Sequence, residues 1–254
     1  MSTPTILITG ASRGIGSAIV SYLLTSSSAN LFLVSRTAAP MEQLKQSHPG
    51  RVDYLAVDMA ANDASAKIKE ALAGAFGGKG KLDGLVLNHG VLDPVSKVED
   101  ANVEEWKEGF MINFFSGVAL TQALLPALRE SKGRVVFVSS GAATTAYPAW
   151  AMYGSSKAAM NHFCLSLASE VPEISAVSIR PGVVDTQMQK EIRTAHVEAM
   201  GEGNQRFQNF HKDGKLLRPD QPGNVIAKLA LNMPKEISGQ FLSWNSPELA
   251  AYQE

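Results

Sequence analysis

Apolar residues along this chain fall into two alternating rhythms. Short runs rich in β-branched residues are each followed by a longer segment whose apolar positions recur every three to four residues. The runs predict strands buried on both faces, and the longer segments predict amphipathic helices. Strands are expected at 5–9, 31–34, 52–57, 82–87, 134–138 and 174–179, with a last short one at 239–243. Helices are expected from residue 15, at 40–48, at 64–76 ending at Gly77-Gly78, from Tyr153 to Pro172, and from Pro219 to Leu231. Residues 103–129 predict one long helix with Pro126 kinking its end. The last dozen residues are expected to form a tail. This order predicts a Rossmann-type, doubly wound parallel sheet of about seven strands, with helices on both faces, in one domain spanning 1–254.

Residues 187–218 break the rhythm. They are polar and mixed, with Met188, Ile192, Met200, Phe207 and Phe210 spaced as in short amphipathic helices. A long insertion at a strand's C-terminal end suits a lid or substrate loop, and ordinary packing of those residues is the alternative.

In open α/β sheets, ligands bind at strand C-terminal ends, and the chain's chemistry-bearing residues gather there. Strand one runs into Gly10-Ala11-Ser12-Arg13-Gly14-Ile15-Gly16 and then a helix. Gly10 permits a tight turn, Gly14 lets backbone approach a phosphate, and Gly16 lets helix and strand pack closely. Amides at the helix start would face a pyrophosphate. A ligand-free turn is the competing explanation. Strand two ends at Ser35-Arg36, where an NAD-binding fold usually has an acid. Arg36 with Arg13 suits a ribose 2′-phosphate instead, which favours NADPH. Asp58, past strand three, is placed to accept from an adenine amino group, or to cap the next turn. Asn113 sits on an apolar helix and reads in isolation as a satisfied core amide.

Ser140, Tyr153 and Lys157 form the sharpest constellation. Tyr153 and Lys157 are four apart, hence on one face of a helix. A neighbouring ammonium favours a phenolate and is expected to lower the Tyr153 pKa, while Ser140 could hold the oxygen on which the tyrosine acts.

Composition narrows the picture. Of 254 residues, 45% are apolar and 19% charged, and the net charge is −1, so neither nucleic acid nor an anionic membrane is an expected partner. No uncharged apolar stretch of membrane-spanning length and no leader segment is expected. The single cysteine, Cys164, excludes an intrachain disulfide and a cysteine zinc site, so no metal is expected. It fits a reducing compartment such as the cytoplasm.

With these motifs the chain resembles the short-chain dehydrogenase/reductase family along nearly its whole length. The matches are residues 9–16, Asn88-His89-Gly90, Asn113, Ser140, 153–157, and Pro181-Gly182 followed by Thr186. More closely, 136–140, 153–162 and 182–186 look like the fungal benzil reductase ((S)-benzoin-forming) type, related to sepiapterin reductases. The resemblance implies that Tyr153 is the general acid, that Lys157 tunes it and holds the nicotinamide ribose, and that Ser140 bonds the substrate carbonyl. It gives Asn113 a water in a proton relay. It places Gly10, Ser12, Arg13, Gly14, Ile15, Gly16, Arg36, Asp58, Asn88, Gly90, Pro181, Gly182, Val184 and Thr186 around NADPH (NADP+). One departure stands out: the family usually has Asn-Asn-Ala-Gly where this chain has Leu87-Asn88-His89-Gly90; a core histidine turned from the site is the favoured account of His89, and a histidine that narrows the pocket or touches substrate is the alternative. Tyr147, Trp150 and Met188 are expected to line an aromatic-tolerant substrate pocket.

The expected activity is NADPH-dependent reduction of a small-molecule carbonyl, a diketone such as benzil or a related aromatic or pterin carbonyl, by a homodimer or homotetramer. The alternatives are an NAD-dependent alcohol dehydrogenase of the same family and a non-catalytic NADPH-binding sensor.

Overall fold

The computed structural model describes residues 3–77 and 81–253, so Gly78 in the expected glycine stop lies outside the described residues. Seven strands form one all-parallel sheet in the order β3-β2-β1-β4-β5-β6-β7. They are β1 (Thr5–Thr9), β2 (Asn30–Ser35), β3 (Val52–Ala56), β4 (Gly84–Leu87), β5 (Arg134–Val138), β6 (Ser175–Arg180) and β7 (Phe241–Ser243). The strand order reverses between β1 and β4, and a crevice opens there at the C-terminal ends of both strands.

The helices α1 (Gly14–Ser26), α2 (Ala39–Ser47) and α3 (Ala64–Gly74) follow the first three strands. After β4 come α4 (Val103–Phe110) and α5 (Ser116–Ser131), and after β5 comes α6 (Ala151–Glu170). The 187–218 segment folds into α7 (Gln187–Thr194), α8 (Val197–Met200) and α9 (Gln205–Lys212), and α10 (Asp220–Leu231) precedes β7. Strand alternation sorts the core into two layers. Ile6, Ile8, Leu31 and Leu33 pack with Ile19 and Leu23 of α1 and Val225 and Ile226 of α10. Leu7, Phe32, Leu85 and Phe137 pack with Leu120 and Leu124 of α5 and Met160 and Cys164 of α6.

Three expectations are corrected. The long helix is continuous but not regular, because Met111–Phe115 between α4 and α5 forms a π-turn. The Ser116 amide reaches back five residues to the Met111 carbonyl, and the extra residue carries Asn113 into full burial. Pro126 sits inside the helix, near its end. It lies on the exposed side, and the helix runs on to a left-handed Lys132, whose amide bonds the Leu128 and Arg129 carbonyls.

Second, residues 110–127 carry no charge, so Val103–Ser131 is long and apolar enough to cross a membrane by composition alone. Its inner side, including Leu120, Leu124 and Leu128, packs on the sheet. Third, the C-terminal residues are not a loose tail. Pro247–Leu249 makes a 3-10 turn, α11 (Ala250–Gln253) follows, and Leu249 is fully buried in the α1–α10 layer.

One fold-stabilising residue carried no sequence signal. Helix α1 ends without a glycine cap or a basic residue in its last turn. Its terminal carbonyls are satisfied by Arg51, which precedes β3. The Arg51 guanidinium donates to Leu23 (2.8 Å), Leu24 (2.9 Å) and Ala29 (3.1 Å), and also to Ser27. Arg51→Met, which keeps the stem and removes the donors, is expected to lower stability by about 2–3 kcal/mol in urea denaturation.

Candidate active site

The crevice is built first from glycine geometry. Gly10 and Gly14 have φ of 64° and 56°, in the left-handed region. A Cβ on Gly16 would sit 2.1 Å from the Gly10 carbonyl oxygen, and one on Gly10 would sit 2.9 Å from Asn88 Nδ2. Asn88 clamps the turn from β4, donating to the Thr9 carbonyl (3.2 Å) and the Gly10 carbonyl (3.1 Å). Helix α1 therefore begins tight against β1. Its N-terminus has no side-chain cap and no acid in its first turn, which leaves first-turn amides available to an anion.

These residues open onto a cavity of roughly 290 Å³. The turn contributes Gly10, Ser12, Arg13, Gly14 and Ile15, and the ends of β2 and β3 contribute Arg36 and Asp58. Asn88 and Gly90 enter after β4, and Ser140 after β5. Tyr153 and Lys157 enter from α6, and Pro181, Gly182, Val184 and Thr186 follow β6. Two expected residues do not line it. Gly16 is buried behind the turn, where its role is close packing. Asn113 is also buried behind the wall. Its Oδ1 accepts from the Val91 amide (2.8 Å), and its Nδ2 donates to the Val91 carbonyl (2.9 Å) and to Ser156 Oγ (3.1 Å). The Asn113 amide group thus ties the loop after β4, through Val91, to α6, through Ser156.

At the other end of the cavity Tyr153 is 8% exposed and Lys157 3%. Tyr153 shares a hydrogen bond with Ser140, whose Oγ also accepts from the Ala142 amide at 3.1 Å. The Lys157 ammonium donates to the Val138 carbonyl at 2.9 Å and lies 5.8 Å from the Tyr153 ring centroid. Burial raises the Tyr153 pKa, and the Ser140 hydrogen bond opposes that only in part. The expected lowering of the phenol pKa by Lys157 is therefore corrected: desolvation outweighs the help it receives. Burial also lowers the Lys157 pKa to about 8.

Residues 4–197 match the family model for short chain dehydrogenase. The chain belongs to the short-chain dehydrogenase family. It is 40% identical over 251 residues to the uncharacterized oxidoreductase YIR035C of Saccharomyces cerevisiae, covering 97% of this chain and 98% of that protein. The crystal structure of YIR035C superposes with a TM-score of 0.94 over 99% of this chain and 100% of that one, at 39% identity. Benzil reductase ((S)-benzoin forming) IRC24 of the same yeast is 39% identical over 261 residues, 98% of each chain. The KRED1-Pglu enzyme superposes with a TM-score of 0.90 at 40% identity, over 94% of this chain and all of that one. The chain is thus an oxidoreductase of a family that binds nicotinamide cofactors, and its uncapped helix start and glycine turn fit a dinucleotide phosphate.

In this short-chain dehydrogenase the far wall of the cavity is aromatic. Tyr147, Trp150 and Met188 all reach it. Phe207 of α9 stacks on Trp150 with centroids 5.2 Å apart and planes at 25°, and lies 5.9 Å from Tyr147. Trp150 in turn meets Tyr153 edge-on at 5.8 Å. The 187–218 segment thus supplies Met188, Ile192 and Phe207 to the wall. A main-chain bridge pins its ends, with the Asp185 amide on the Leu217 carbonyl and the Leu217 amide on the Val183 carbonyl.

Sequence reasoning named neither Ser35 nor Arg180 as a site residue. Ser35 donates to Ser12 Oγ at 2.8 Å, and Arg180 packs its guanidinium within 2.9 Å of where a Gly141 Cβ would stand. Both end strands, which is the signal that could have singled them out. His89 is buried with both its ring nitrogens hydrogen-bonded, and it also lines the cavity, so it is not a core residue turned from the site. Gly16→Ala is expected to cost about 3 kcal/mol or more, because the new methyl meets backbone rather than a yielding side chain. Thermal denaturation checks this.

Proposed function

We propose that the protein is an NADPH-dependent carbonyl reductase that converts an aromatic ketone or diketone, of which benzil is the model, into a chiral alcohol. The observation that carries this reading is the pairing of Ser140 and Tyr153 in one cavity with the uncapped, arginine-flanked glycine turn. Arg13 and Arg36 line the cavity, and neither guanidinium has a carboxylate partner among the described residues. That arrangement suits a ribose 2′-phosphate better than a free ribose diol.

Bound there, the nicotinamide would supply hydride to the carbonyl carbon. Ser140 and Tyr153 then donate hydrogen bonds to the carbonyl oxygen as negative charge develops on it, and Tyr153 gives up its proton. The nearby Lys157 ammonium stabilises the resulting phenolate. A phenol held protonated by burial suits a proton donor, whereas alcohol oxidation would need the phenolate at the start. This favours the reductive direction over an NAD-dependent alcohol dehydrogenase. The intact set of Ser140, Tyr153 and Lys157 speaks against a catalytically silent sensor. The stacked wall of Tyr147, Trp150 and Phe207 suits a flat aromatic substrate, and the resemblance to benzil reductase agrees. Exposed Met111 and Phe115 on the long helix and Leu165 on α6 suit a homodimer or homotetramer. A small-molecule cytoplasmic role fits these features.

Absorbance of NADPH, followed with benzil, sepiapterin and simple aldehydes, tests the proposal. A folded protein that binds NADPH yet turns over no carbonyl would refute it. Tyr153→Phe is expected to lower kcat by about a hundredfold or more with little change in NADPH affinity. Arg36→Asp is expected to weaken NADPH by about tenfold or more and to favour NADH, read from the two apparent KM values. Reduction needs Tyr153 protonated and Lys157 charged, so kcat is expected to hold through neutral pH. It should fall as pH rises above about 8, where Lys157 loses its proton.

A further inference from the structure

His89 joins two parts of the catalytic scaffold that are distant in sequence. Its Nδ1 lies 2.7 Å from the Thr9 hydroxyl, at the end of β1 just ahead of the glycine turn. Its Nε2 lies 2.8 Å from the Ser116 hydroxyl, at the close of the π-turn that carries Asn113. The next residue, Gly90, packs where a Cβ would come within 3.2 Å of Asn113 Oδ1 and 3.5 Å of the Lys157 ammonium. His89 therefore stands between the clamp on the glycine turn, Asn88, and the backbone that faces Lys157.

Counting hydrogens gives this bridge a direction. A neutral imidazole has one N–H and one lone pair. The Thr9 hydroxyl has the Val86 carbonyl within donor reach at 3.2 Å, and the Ser116 hydroxyl has the Ile112 carbonyl at 2.7 Å. Only one hydroxyl can keep its carbonyl while accepting from the ring; the other must turn its hydrogen toward the ring. The longer Thr9–Val86 contact is the cheaper one to give up. Thr9 then donates to Nδ1, Nε2–H donates to Ser116, and Ser116 donates to the Ile112 carbonyl beside Asn113. Burial, aided by the Lys157 charge, holds the His89 pKa near about 4, so the ring stays neutral and the chain keeps this direction at working pH.

We propose that His89 is a positioning residue: its imidazole ties the π-turn to β1, and so fixes Asn113 and the Gly90 backbone against the Lys157 ammonium. The kinetic consequence of this rests on the carbonyl reductase reading, but the bridge itself does not.

The test compares wild type with His89→Ala, His89→Gln and Ser116→Ala by kcat, KM, NADPH binding and the pH profile of kcat. His89→Ala removes the tie and lets water reach Lys157, which then keeps its proton to higher pH. Its kcat is expected to fall about tenfold or more, and its alkaline limb to move up by about half a pH unit or more, with NADPH affinity within about threefold of wild type. His89→Gln, which retains a donor and an acceptor, is expected to recover much of kcat. A His89→Ala enzyme with wild-type kcat and limb overturns the proposal, as does equal loss in Ala and Gln variants with an unmoved limb. Should His89→Ala fail to fold, Ser116→Ala carries the test, because it cuts the far end of the tie with the ring in place. There, about a threefold or greater loss of kcat supports the proposal, and unchanged kcat overturns it. Long-range nitrogen–proton NMR of the protein without substrate reads the bridge independently of turnover. A single Nε2–H tautomer that does not titrate between about pH 5 and 9 supports it, and a ring titrating at its ordinary value overturns it. Absence of carbonyl turnover in wild type would instead count against the reductase reading alone.

Discussion

The site depends on one close approach: the start of α1 lies against the Gly10 carbonyl, where Gly16 leaves no room even for a methyl group. That contact sets the angle at which α1 leaves the sheet, and so the direction in which its uncapped amides point. Asn88 secures it from the neighbouring strand by donating to the carbonyls of Thr9 and Gly10. Because β1 and β4 are adjacent at the point where strand order reverses, the clamp lies at the floor of the crevice. An anion-binding turn and its brace thus come from residues nearly eighty positions apart.

Burial, more than pairing, sets the electrostatics around this floor. Tyr153, Lys157 and His89 all lie below one-tenth exposure, and desolvation is the largest influence on each. The direction differs with the chemistry of the group. The phenol is held protonated, the ammonium is brought toward neutral pH, and the imidazole is kept uncharged. A protonated phenol, a cation able to respond near neutral pH and a neutral imidazole result from one dry environment. The aromatic wall adds to that dryness: Phe207 covers Trp150, and Trp150 meets the edge of Tyr153.

Much of this was legible from local pattern. The seven strands follow from short apolar runs, since a strand covered on both faces tolerates little else. The glycine turn was legible because its spacing is dictated by backbone sterics, and Tyr153 with Lys157 because helical periodicity places residues four apart together. Other features left no such trace. The π-turn at 111–115 has no propensity signature, as it is a one-residue shift stabilised by what it buries. Arg51 carried no signal, and only the proximity of α1's last turn gives it its carbonyls. Gly16 was placed around the cofactor and Asn113 at a relay water through their place in a motif, yet both are buried behind the cavity wall.

Short-range sterics and periodicity therefore established the strand-helix order, the glycine turn and the placing of Tyr153 beside Lys157 on one helix face, because each is encoded within a few consecutive residues. The sign of the Tyr153 pKa shift, the stacking of Phe207 on Trp150 and the hydrogen bonds of His89 to Thr9 and Ser116 were not so encoded. Each depends on how many atoms from distant segments close around a group and exclude water, and that quantity exists only once β1, β4, the π-turn and the 187–218 helices are packed together.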